Sequence, residues 1–326
     1  MINRPGIFPG LFLNRSGLTS KTLEMHESNW SEANIPDQKG KIIIITGANS
    51  GLGLEAAKAL CKKNATVIMA VRDAEKGEQA LQEIKRETPA ADITVLQLDL
   101  ADLDSVHSFA KIFHQKYSRL NILINNAGIM YPSKREVTKQ GFEIQIGTNH
   151  LGHFALTGLL LDLLKSTPHA RVVTQSSLAH LNANIRLNDL NWEKTYSRTQ
   201  AYGQSKLANL LFTYELDRQF KANHIDAMAT AAHPGITRTN LMRTSGFFVN
   251  LLTPLVAQKA EMGVLPILRA ATDEHLTGGE YIGPNKLMGI RGYPEQVRSS
   301  KRSHDLQLAK DLWSLSEKMT GVHFNY

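Results

Sequence analysis

Cysteine is almost missing: the 326 residues hold one, Cys61. A lone thiol excludes an intrachain disulfide framework and fits a reducing compartment. Cys61 falls in a predicted helix, where it reads as a small buried apolar side chain. No stretch approaches the roughly 20 apolar residues of a membrane span. The apolar run Gly6–Leu13 is short, broken by Pro9 and followed by no small-residue cleavage pattern, so no signal peptide is read there. Internal repeats and low-complexity tracts are lacking as well. The expected location is cytoplasmic, and membrane contact is not expected. A basic patch interleaved with aromatics is also missing: the net charge of +7 is spread along the chain, and its densest cluster, Arg291 to Lys310, contains Glu295 and Asp305. That distribution reads as a solvated face, so no nucleic acid partner is expected. His150, His153, His180 and His233 lack a paired ligand spacing on one helix, and no acidic or cysteine partner joins them. Structural or supporting roles suit them, and no metal is predicted.

What is present is the makeup of a globular protein, with 42% hydrophobic and 21% charged residues, enough to bury a sizeable core in one large α/β domain. Residues 1–40 carry Pro, Gly, Ser and Asn without a clear period and read mostly as an N-terminal extension outside the core. From Lys41 the pattern changes. Ile42–Ile45 is a β-branched run suited to a strand buried on both faces. Helices are predicted at Leu54–Lys63, Ala74–Glu87, Leu103–Tyr117, around Asn149–Leu164 and at Thr199–Phe220. Strands are predicted at Thr66–Val71, Ile93–Leu98, Leu120–Ile124, Arg171–Gln175 and Asp226–Ala231. Alternation at such short intervals implies right-handed crossovers and a doubly wound parallel sheet, a Rossmann fold in a single domain over 41–326.

Thr46-Gly-Ala-Asn-Ser-Gly-Leu-Gly53 falls between the first strand and the first helix, where a nucleotide pyrophosphate meets free N–H groups and a positive helix end. Gly47 permits the tight turn, Gly51 lets backbone approach phosphate, and Gly53 allows close helix–strand packing. At the end of the second strand stands Arg72, suited to pair with the 2′-phosphate of NADP(H), while Asp73 reads as the cap of the next helix. NADP(H) is therefore favoured over NAD(H). Tyr202 and Lys206, four residues apart, share one helix face, so an ammonium there is expected to stabilise a phenolate and lower a pKa otherwise near about 10. Such a tyrosine serves as a general acid.

Thr46-Gly47-x-x-x-Gly51-x-Gly53, Asn125-Asn126-Ala127-Gly128, Tyr202-x-x-x-Lys206 and Pro234-Gly235, in that order, resemble the short-chain dehydrogenase/reductase family over residues 41 to about 240. Beyond them, Gly279-Glu-Tyr-Ile-Gly-Pro284 and the segment from Asp311 to Val322 resemble the branch holding retinol dehydrogenases and protochlorophyllide reductases. The resemblance implies a catalytic tetrad of Asn149, Ser177, Tyr202 and Lys206. Ser177, taken over Ser176 because the family's serine is the second of such a pair, would hydrogen-bond the substrate oxygen. Tyr202 would protonate it, Lys206 would hold the ribose, and Asn149 would anchor a water linking Lys206 to solvent. For the cofactor it implies Asn49, Ser50 and Leu52 in the phosphate turn and Asp99 at the adenine, with Leu100 beside it. Asn126, Ala127 and Gly128 would border the ribose, and Pro234, Gly235 and Thr239 would pass beside the nicotinamide. The family often pairs as a homodimer through the Tyr202 helix, whereas this branch includes less regular assemblies, so the oligomeric state stays open.

One departure is the long Ser177–Tyr202 gap, with Asn182–Arg198 inserted, expected to form part of a substrate-side wall. Phe247–Val256 is apolar and suits a substrate lid near 240–265, an ordinary packing helix or a membrane-touching patch alike. The expected activity is NADP(H)-dependent hydride transfer to or from a medium-sized apolar carbonyl or alcohol. The alternative is an NADP(H)-binding redox sensor or scaffold with little turnover. A nucleotide-sugar epimerase also uses a Tyr/Lys pair but resembles a different glycine spacing.

Overall fold

A computed structural model describes residues 29–237 and 258–326. Eight strands form one sheet: β1 Ile42–Thr46, β2 Thr66–Val71, β3 Asp92–Gln97, β4 Ile122–Asn125, β5 Ala170–Gln175, β6 Ala227–Ala232, β7 Tyr281–Lys286 and β8 Arg291–Gln296. Their order is β3-β2-β1-β4-β5-β6-β7-β8. Neighbours from β3 to β7 pair parallel, and β8 pairs antiparallel with β7. The chain begins in the middle and winds outward in both directions. The reversal falls between β1 and β4, where a crevice opens at the carboxyl edge of such a sheet.

Strands β1 and β2 are almost wholly apolar because both faces are covered. In β1 and β2, Ile43, Ile45, Val67 and Met69 enter one core layer with Ala56, Leu60, Ile84 and Leu268. Ile44, Ile68 and Ala70 enter the other, with Phe109, Phe154, Phe212 and Leu216. The first layer belongs to α1 Gly51–Lys62 and α2 Ala74–Glu87. The second belongs to α3 Leu103–Lys116 and to a composite helix of α4 Ile144–Ile146, a π-helical turn Gly147–Leu151, α5 Gly152–Leu159 and α6 Leu161–Ser166. It also takes in α7 Arg198–Ala222. Side chains such as Ile44 and Phe154 have no exposed surface, and burial of each contributes on the order of 1.5–3 kcal/mol before conformational entropy is set against it. After α7 come α8 Ala260–Gly263, α9 Leu265–Thr272 and α10 Leu306–Thr320.

Several expectations need correction. Part of 29–40 joins the core: Trp30 and Ile35 are buried in the first layer, and the Gln38 N–H donates to the Lys63 carbonyl at 2.7 Å. The helix expected at Asn149–Leu164 starts earlier and is broken twice, by the π-helical turn and at Leu160, whose φ of −106° leaves the helical range. The first helix begins at Gly51 rather than Leu54. Strands β7 and β8 were not foreseen. Most of the stretch expected as a lid lies outside the described residues, and its described end turns into the core, with Val264 and Leu265 buried. Among the described residues no helix is long and apolar enough to cross a membrane.

Candidate active site

The turn between β1 and α1 opens onto a cavity of about 440 Å³. Gly47 and Gly51 both take positive φ, 68° and 55°, which a side chain would oppose. Gly53 has a different reason: a Cβ there would run into the Gly47 carbonyl and stand 2.6 Å from Asn126 Nδ2. Ser50 occupies the N-cap of α1 in extended conformation, yet its side chain makes no capping bond. The first-turn N–H groups thus face the cavity without a side-chain acceptor, a cradle that fits a pyrophosphate. Asn49, Ser50, Leu52 and Gly53 line it together with Gly47 and Gly51.

Farther along its wall come Arg72, Asp73, Lys76, Asp99 and Leu100. Asp73 caps α2 through the Lys76 N–H and pairs with the Lys76 ammonium at 2.7 Å, which together hold its carboxyl below the usual range. Asp99 turns its carboxylate to the Ala101 N–H at 2.9 Å. Asn126, Ala127 and Gly128 form the opposite side, anchored by Thr46, whose Oγ accepts the N–H of Asn126 and of Ala127, each at 2.9 Å.

The cavity ends at Ile129, Thr148 and Gln175, and the second group of predicted residues begins there. Lys206, buried on α7, donates to the Gln175 carbonyl at 3.1 Å. Asn149, fully buried in the π-helical turn, grips Ile129 from both sides: its Oδ1 accepts the Ile129 N–H at 2.7 Å and its Nδ2 donates to the Ile129 carbonyl at 3.0 Å. The same Nδ2 reaches Ser205 Oγ at 2.9 Å. Ser176 is buried, with its hydroxyl donating to the Lys206 carbonyl at 2.8 Å. Ser177, one residue on, accepts the Ala179 N–H at 3.2 Å and is near enough to the Tyr202 phenol to pull its pKa down.

The electrostatics depart from the sequence expectation. Burial pushes the Tyr202 phenol above the usual tyrosine range, Ser177 pulls it down, and the nearby Tyr131 raises it again. Lys206 is not among the groups that lower it, because its ammonium turns to the Gln175 carbonyl and stands 5.6 Å from the Tyr202 ring centre. Burial instead brings Lys206 itself down to about 8. Tyr131, edge-on to Tyr202 at 5.1 Å between ring centres, holds a positive φ of 55° and is fixed by its N–H to Gln145 Oε1 at 2.9 Å.

Pro234 and Gly235 follow β6 at the same sheet edge but do not line the cavity. Gly235 packs so closely on Ile290 that a Cβ would strike its carbonyl. Thr239 lies outside the described residues. Sequence reading missed Lys76, Ile129, Thr148 and Gln175. Lys76 could have been found, standing one helical turn after Arg72; Gln175 acts through its backbone, which no side-chain pattern reveals. The Asn182–Arg198 insertion is tied to α7, with Gln204 bonding Arg186 and Leu190 and the Arg186 guanidinium 3.7 Å from the Trp192 ring centre. Among the described residues no group of three or more His, Cys, Asp or Glu is placed to hold a metal.

Comparison with known proteins agrees with this geometry. The sequence model of the short chain dehydrogenase family matches residues 41–246. Human retinol dehydrogenase 11 is 45% identical over 285 residues, covering 87% of this chain and 86% of that protein. Mouse retinol dehydrogenase 12 is 40% identical over 290 residues, covering 87% and 88%. The crystal structure of an uncharacterised protein from Mycobacterium paratuberculosis is 44% identical with a TM-score of 0.78, covering 92% of this chain and all of that one. A short chain dehydrogenase of Shigella flexneri complexed with NADP is 26% identical with a TM-score of 0.60, covering 75% and 97%. The chain therefore belongs to the short-chain dehydrogenase/reductase family, on the branch of the retinol dehydrogenases, and is a nicotinamide-dependent oxidoreductase acting on CH–OH and C=O groups.

Proposed function

We propose that this protein is an NADP(H)-dependent oxidoreductase for a medium-sized apolar carbonyl or alcohol. The observation that carries the reading is the grouping of Ser177, Tyr202 and the buried Lys206, whose ammonium stands 5.6 Å from the Tyr202 ring centre, at the inner end of the glycine-lined cavity. A bound nicotinamide supplies or accepts the hydride. In the direction of reduction Tyr202 gives its phenolic proton to the substrate oxygen, while the Ser177 hydroxyl hydrogen-bonds that oxygen as negative charge gathers there. Lys206 carries its charge into the same site below about pH 8, and Asn149 fixes the Ile129 backbone at its border.

The preference for NADP(H) rests on Arg72 and Lys76 in the wall and on Asp73 being engaged with α2 rather than free to receive a ribose hydroxyl. The Shigella relative was solved with NADP. An apolar substrate agrees with the retinol named for the mammalian relatives. The cytoplasmic location belongs to this reading and rests on the single Cys61, buried and with its thiol pushed up to about 12.

The test is NADPH consumption across retinal, steroid, aliphatic and quinone carbonyls, with Tyr202→Phe as control. Tyr202→Phe is expected to lose about 10²–10⁴ in kcat while still binding NADPH, as removal of a general acid does. NADPH binding without Tyr202-dependent turnover on any carbonyl would point instead to a redox sensor or scaffold.

A further inference from the structure

His153 lies in α5, four residues after Asn149, and is 1% exposed. Its Nδ1 stands 3.0 Å from the Asn149 carbonyl oxygen and its Nε2 stands 2.9 Å from Thr46 Oγ. A carbonyl oxygen only accepts, so Nδ1 carries the ring proton. Burial first, and the Lys206 ammonium in addition, bring the ring down to about 4 against the opposing Asn149 bond, so it is neutral at ordinary pH and Nε2 keeps its lone pair. Thr46 therefore gives its hydroxyl proton to Nε2, which leaves its oxygen free to accept the Asn126 and Ala127 N–H groups. The Ile124 carbonyl, at 3.3 Å, is the longer competing acceptor.

Each end of this ring touches a different half of the site. Thr46 is the anchor of the Asn126-Ala127-Gly128 wall of the nucleotide cavity. Asn149 holds Ile129 and Ser205, and a Cβ added at Gly128 would stand 3.2 Å from Asn149 Oδ1 and 3.6 Å from Lys206 Nζ. We propose that His153 is a positioning residue that joins the floor of the nucleotide cavity to the Asn149–Lys206 side of the catalytic group through one neutral ring of fixed tautomer. The proposal rests on the nucleotide reading above. A nucleotide that orders the Asn126–Gly128 wall thereby also stiffens the Asn149 turn, and the two halves respond together.

The experiment measures NADPH affinity by calorimetry, and kcat against pH with the best carbonyl of the panel, for three variants. His153→Phe keeps a ring but neither bond and is expected to weaken NADPH about tenfold, the effect of leaving buried polar partners unpaired, and to displace the pH profile. His153→Asn keeps a donor for the Asn149 carbonyl and is expected to lose affinity with the wild-type pH profile. His153→Gln keeps an acceptor for Thr46 and is expected to show the converse. That split separates positioning from bulk packing, which would move both readings together. Thr46→Val probes the tie from its other end and should lose affinity, with Thr46→Ser restoring it, even where a His153 variant does not fold. Wild-type affinity and pH profile in His153→Phe, wild-type affinity in Thr46→Val, or equal losses in His153→Asn and His153→Gln would overturn the tie. Failure of the nucleotide reading would look different, as wild-type protein that binds neither NADPH nor NADH.

Discussion

Tyr131 shows how a single residue can be held against its own preference. A tyrosine at a φ of 55° is strained by roughly 1–3 kcal/mol, and such strain persists where the surroundings enforce it. Here the enforcing group is Gln145, buried and bonded to Glu143 Oε1, to the Tyr196 hydroxyl and to the Arg198 carbonyl. The result is a second phenol beside Tyr202. Once ionised it repels the Tyr202 phenolate, so Tyr131→Phe is expected to move the alkaline limb of carbonyl reduction to lower pH. A limb that stays in place or moves upward in log kcat against pH would refute this coupling. At the other end of the cavity, Arg72→Glu is expected to weaken NADPH binding about 10- to 100-fold, the loss of a charge-assisted pair, and to leave NADH binding no weaker. Fluorescence titration with both nucleotides checks it. The four-residue spacing made it legible that Tyr202 and Lys206 share a helix face. It could not show where the ammonium points, because the Gln175 carbonyl that receives it comes from β5, 31 residues away in sequence.

At the level of elements, legibility followed the strength of the periodic signal. Strands β1 to β6 were readable because each is a short run rich in apolar residues, set off from the next by a longer helical stretch. Strands β7 and β8 were not, since Gly283, Pro284, Gly292 and Pro294 interrupt any alternation, and such residues are tolerated near the sheet edge, where few ladder bonds are needed. The π-helical turn was hidden for another reason: a slip of one residue in the hydrogen-bond ladder hardly alters the spacing of apolar side chains, although it occurs where Asn149 must turn inward. Gly53 ties element to site most directly, since α1 can approach β1 only if this position has no Cβ. Gly53→Ala forces backbone apart rather than a flexible side chain aside. A loss of about 1–3 kcal/mol in unfolding stability is expected, together with weakened nucleotide binding. Thermal unfolding and NADPH titration of the same preparation read the two effects, and an unchanged melting temperature would show that the helix end yields freely.

For the molecule as a whole, the doubly wound architecture buries four histidines among the described residues, His150, His153, His180 and His233, and the three that burial brings lowest set a limit on its acid tolerance. His150 packs among Phe154 and Phe212 and reaches Ser316 Oγ at 2.9 Å; His153 joins Thr46 to Asn149; His233 is wedged so tightly against Gly283 that a Cβ there would collide with its ring. Burial is the first cause in each case, bringing them from the ordinary 6.5 down to about 3, 4 and 3. The unfolded chain therefore takes up three protons near pH 6.5 that the folded chain refuses until about pH 4 or below. Their stabilising effect is complete above pH 6.5 and is lost as the pH falls, with a slope approaching about 4 kcal/mol per pH unit from these three groups alone. Against a total stability on the order of 5–15 kcal/mol, unfolding is expected to set in around pH 4–5. Circular dichroism melts between pH 7 and pH 4 measure the slope directly. His150→Gln removes one of the three titrating rings without removing polar reach toward Ser316, and should take away about one third of what the three contribute to it. A melting temperature that stays level from pH 7 to pH 4.5 in the wild type would mean that these rings either protonate inside the fold or are reached by water.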